Sequence, residues 1–162
     1  MANSTATFVA QHVMQIKDVQ KLKNEALTVT SAKFKSNDDP MPIEFEIEAR
    51  FGSHQTEYLS VLFVAREQDV IKRHLQFWVI DHEGKILEHK HLPLDGSPIK
   101  RIEAGAYWGY WRMLPLNLIT GPEVTILCIL EYFPSESASN AVIAHLGVSI
   151  CKTRLAGDRK NN

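Results

Sequence analysis

The segment Ile43-Glu44-Phe45-Glu46-Ile47-Glu48-Ala49-Arg50-Phe51 puts an apolar residue at every odd position and a charge at every even one. Successive side chains of a strand point to opposite faces, so this pattern specifies a strand with one dry and one wet face. One-sided burial selects an antiparallel sheet, because strands in helix-covered parallel sheets are apolar on both sides. Glu44, Glu46 and Glu48 are accordingly expected on a solvated face. Pro40 and Pro42 precede the run, where a missing amide proton is tolerated.

Period two recurs along the chain. Phe8 to Met14, Leu27 to Lys35, Tyr58 to Ala65, Arg73 to Asp81, Lys85 to Leu92 and Val124 to Phe133 all read as strands. Asp81-His82-Glu83-Gly84 reads as a tight turn joining two of them, with Gly84 free to take positive φ. Pro93, Asp95-Gly96, Pro98 and Gly121-Pro122 mark further loops. Helical signal is weak: Gln15 to Asn24 is the best helical alternative, and Leu114 to Thr120 has room for one short turn after Pro115. About seven strands at short spacing with little helix predict an all-β antiparallel sandwich or barrel. After Pro134 a polar linker leads to Ala141–Cys151, apolar enough for one more strand, and then to a tail expected to fray.

Composition excludes several functions. Lys plus Arg is 18 and Asp plus Glu is 19, which argues against nucleic acid as a partner. The apolar runs are well short of the ~20 residues that a membrane helix requires, so no membrane partner is expected. The first residues carry no basic and apolar secretory pattern, and cytosol or nucleus is the expected compartment. Cys128 sits within an apolar run and, with Cys151 as the only other cysteine, makes no disulfide framework. It reads as a buried thiol packing like a small hydrophobe.

No phosphate-binding glycine loop, nucleophile elbow, HExxH or CxxC is present. His89 and His91 are two apart, so on a strand they share a face, with His82 and Glu83 at the preceding turn. Such a set can supply zinc ligands, but its spacing matches no metal motif and a solvated hairpin face accounts for it. No cofactor and no catalysis are expected.

The unusual segment is Gly105-Ala106-Tyr107-Trp108-Gly109-Tyr110-Trp111-Arg112, which holds four of the seven Trp and Tyr residues. On a strand, Tyr107, Gly109 and Trp111 share one face, and Trp108 and Tyr110 the other. One set can fill the core and the other is then at least half-exposed. Two readings stay open here: a binding surface, or a core cluster whose polar tips are satisfied locally.

Three places in the chain resemble the MATH (meprin and TRAF homology) family. Tyr58-Leu59-Ser60-Val61-Leu62-Phe63-Val64 is similar to its "YLS" strand, Phe77 to Lys85 to its "FxxxNxxG" hairpin, and Tyr107-Trp108-Gly109-Tyr110 to its "WGF" element. Val124 to Phe133 fits its closing strand, with Cys128 at the family's cysteine. The resemblance implies a TRAF-like sandwich of seven or eight strands over residues 7–133, with 134–162 as a C-terminal extension. It also implies a receptor for a short extended peptide, in a BTB/cullin ubiquitin-ligase or signalling context, with homo-oligomers among the assemblies. Carried over position by position, the family groove places Trp108, Gly109 and Tyr110 on its Trp-Gly-Phe. Its strand aromatics fall on Leu62 and Leu75, its further Tyr on Lys100, and its Lys-Asp pair on Ala106 and Tyr107. Together these give Leu62, Leu75, Lys100, Tyr107, Trp108, Gly109 and Tyr110 as the implied peptide-binding set. Lys100, Arg101 and Arg112 would favour acidic peptides unless they are merely rim charges. The alternatives are a self-association module with no open groove, a metal-dependent sandwich using the histidines, and a carbohydrate-binding sandwich.

Overall fold

The structure, a computed structural model, describes residues 7–52, 57–92 and 99–133. Two antiparallel sheets face each other. Strands β1 (Phe8–Ile16), β9 (Val124–Phe133), β5 (Val70–Asp81) and β6 (Ile86–Leu92) lie side by side in that order, and β7 (Lys100–Ile102) pairs with the start of β5. The second sheet runs β2 (Thr28–Thr30), β3 (Glu46–Phe51), β4 (Tyr58–Val64), β8 (Tyr107–Pro115). The all-β antiparallel sandwich expected from the period-two pattern is the fold observed.

The dry face of the Ile43–Phe51 pattern lies in the core. Ile47, Ala49 and Phe51 are opposite Phe63, Val61 and Leu59 of β4, and all six are fully buried. The first sheet answers with Leu75, Phe77 and Val79 of β5 and with Ile126, Cys128, Leu130 and Tyr132 of β9. Cys128 is a buried free thiol, and desolvation pushes its pKa up. Cys151 and Ala141–Cys151 lie outside the described residues.

Several elements differ from the sequence reading. β1 runs on to Ile16, so the helix α1 (Val19–Glu25) is shorter and later than Gln15 to Asn24. α1 closes one end of the sandwich: Val19 is fully buried, and the Gln20 and Lys23 side chains donate to the Ile119 carbonyl at 3.3 and 2.7 Å. β2 ends at Thr30: the Ser31 amide still donates to the Ile47 carbonyl at 2.8 Å, but the Ser31 hydroxyl takes the Ile47 amide at 2.9 Å, and reciprocal backbone pairing returns at the Phe34–Phe45 bridge, with one extra residue looped out. The turn after Pro115 is a 3-10 turn over Leu116–Leu118. Gly84 takes φ 86°, as the Asp81–Lys85 hairpin turn requires. Among the described residues no helix is long and apolar enough to cross a membrane.

The expected solvated glutamate face is only partly so. Glu44 is exposed, but Glu46 is half-buried and Glu48 is 8% exposed. Glu46 pairs with Arg66 at 2.9 Å and Glu48 with Arg50 at 2.5 Å. These arginines and the aromatic residues of β8 take water's place over the outer face of β3.

Candidate functional site at the β6–β8 seam

Among the described residues β6 ends the first sheet and β8 ends the second. The two edge strands face each other across the rim of the sandwich and are joined by side chains. The Tyr110 hydroxyl donates to the His91 carbonyl at 2.7 Å. The Lys90 ammonium donates to the Arg112 carbonyl at 3.1 Å and lies 5.3 Å from the Tyr110 ring centre. A lysine on an edge carbonyl also discourages indiscriminate pairing with other chains.

Register with β4 fixes the faces of β8. Trp108 is opposite Phe63 and Tyr110 opposite Val61, so both rings point between the sheets. Each is half-buried and packs on the core, and the Tyr110 ring meets Phe77 edge-on at 6.5 Å. Burial raises the pKa of the Tyr110 hydroxyl. Tyr107 and Trp111 take the outer face, whereas a Cβ on Gly109 would come within 3.1 Å of the core ring of Phe77. On the outer face the Arg50 guanidinium lies 5.0 Å from the Tyr107 ring and 4.8 Å from the Trp111 ring, and Arg66 approaches Tyr107 from 5.8 Å. This alternation of guanidinium and ring is anchored by the Glu46 and Glu48 carboxylates.

Gly109 is required by β4. A Cβ there would stand 2.2 Å from the Val61 carbonyl oxygen and 2.9 Å from the Leu62 Cα, at φ +152°. The backbone that approaches this glycine is therefore the chain's own. Beside it, β8 gains residues relative to β4: Leu59 pairs with Leu114 but Val61 with Tyr110. The Ser60 hydroxyl spans the irregularity, donating to the Trp111 carbonyl at 2.7 Å.

The structure gathers part of the implied set. Trp108, Gly109 and Tyr110 are consecutive on the edge strand, and the Lys100 ammonium sits 5.3 Å from the Trp108 ring centre. Tyr107 is nearby on the opposite face. Leu62 and Leu75 are fully buried, Leu62 opposite Gly109 and Leu75 in the core sheet of β5. Four participants escaped the sequence reading: Lys72, Phe77, Lys90 and the His91 carbonyl. Only strand pairing brings them here, and no local motif marks them.

The histidine side chains lie away from the seam. His89 stacks on Trp78 at 4.2 Å on the outer face of the first sheet, and His91 meets His74 with 3.4 Å between ring nitrogens. Burial, and then the charge of His91, lower the pKa of His74. His82 is at the hairpin turn beneath Gly121. Among the described residues no group of three His, Cys, Asp or Glu side chains is placed to hold a metal ion.

No family model and no curated protein matches the chain.

Proposed function

We propose that this chain is a MATH-like peptide-binding module that recruits a partner or substrate, in ubiquitin-ligase adaptation or signalling assembly in cytosol or nucleus, and acts by binding rather than catalysis. One observation carries the reading: β8 is the last strand of its sheet among the described residues, and it holds Trp108, Gly109 and Tyr110 at the rim. An extended peptide gains main-chain hydrogen bonds by adding to such an edge, and alternate side chains enter pockets beside it. Trp108 and Tyr110 supply half-buried aromatic walls. Lys90 occupies the Arg112 carbonyl, so the stretch Tyr107–Tyr110 is where a peptide would pair.

The test is a selection from a displayed random-peptide library against the wild type and the Trp108→Ala and Tyr110→Ala variants, each checked for folding. A consensus present for wild type and lost in both variants is the expected result. A consensus that survives both changes would place binding elsewhere. The same selection separates this reading from self-association, for which no consensus would appear.

A further inference from the structure

We propose that Lys72 and Lys100, beside Trp108, receive a carboxylate of the bound peptide, so that the module selects acidic sequences; this rests on the peptide-binding reading of β8. Lys72 lies opposite Tyr132 of β9 and Lys100 of β7. Tyr132 is a core residue, so Lys72 points between the sheets rather than to solvent. It is 2% exposed. Among the described residues it has no hydrogen-bond or ion-pair partner. Its resolved charge neighbour is a second cation, Lys100.

A lone buried ammonium beside another is among the most costly arrangements in a protein interior. Buried polar groups are almost always satisfied, and an exception points to a missing partner. Among the described residues no carboxylate acts on Lys72: burial and the Lys100 charge are what shift its pKa. Lys100 is exposed and its ammonium lies 5.3 Å from the Trp108 ring centre, with buried Lys72 opposite it on β5. A carboxylate entering past Trp108 meets both. The burial of Lys72 then serves recognition, because a charge held in low dielectric interacts more strongly than one in water.

The probe is a random-peptide library displayed in two forms, one with its C-terminus fused and one with it free. For the wild type, selected peptides are expected to share an Asp or Glu at one position. Enrichment in the fused form assigns the carboxylate to a side chain; enrichment in the free form alone assigns it to the peptide terminus. A synthetic selected peptide changed Glu→Gln (or amidated at its terminus) should lose at least about tenfold in affinity for wild type. The loss should be clearly smaller against Lys72→Met and against Lys100→Met, each of which keeps only one of the two charges, and smallest against Lys72→Met, which lacks the desolvated one. A consensus with no acidic position, or an equal Glu→Gln loss in Lys72→Met, would overturn the acidic preference and leave peptide binding standing. Absence of any consensus would overturn both.

Discussion

At the scale of single residues, Gly109 and Lys72 show opposite kinds of constraint. Gly109 is fixed by sterics, since any side chain meets the Val61 carbonyl and the backbone is already at φ +152°. Gly109→Ala should therefore cost about 2–4 kcal/mol in chemical denaturation. Lys72 is tolerated at a cost. Desolvation, with Lys100 second, lowers its pKa from 10.5 to about 8. Below about 8 both folded and unfolded chains hold the proton, and the penalty is present in full. Between about 8 and 10.5 the unfolded chain binds more protons, so stability rises with pH across that window. Lys72→Met should abolish this rise and stabilise the protein at neutral pH by about 1–3 kcal/mol, as read by denaturant titration. Equal or lower stability of the variant would mean that Lys72 is already satisfied. The sequence announced the aromatic cluster but not which face was inward. That depends on the register between β4 and β8, and a shift of one residue exchanges the two sets.

At the scale of elements, period two located most strands, because alternation is a local property of the chain. It failed where tertiary partners decide. β7 is three residues long, and Lys100-Arg101-Ile102 has no strand signature; pairing with β5 makes it one. The expected strand Leu27 to Lys35 is regular only over Thr28–Thr30, because the Ser31 hydroxyl takes over a backbone role that is invisible in a hydropathy pattern. The segment between β2 and β3 is pinned instead by Asp39, which is 7% exposed and receives the Tyr132 hydroxyl. Burial, and then Asp39, raise the pKa of Tyr132. Tyr132→Phe keeps the ring but strips a donor from a buried carboxylate. It should cost about 1–3 kcal/mol, and amide exchange near Asp39 should accelerate while β3 and β4 stay protected.

At the scale of the whole molecule, the sandwich brings two sheet edges together, and the candidate site exists only there. Trp108, Gly109 and Tyr110 were legible as a local motif. Lys72, Lys90 and Phe77 come from strands distant in sequence, and no spacing rule links them. The central claim is that an extended peptide pairs with β8. The most direct measurement is amide hydrogen exchange, residue by residue, with and without a selected peptide. The account predicts that the Tyr107–Tyr110 backbone becomes strongly protected on binding, while the outer face of the first sheet around Trp78 and His89 is unchanged. Protection centred on that outer face, with β8 exchanging as before, would contradict it.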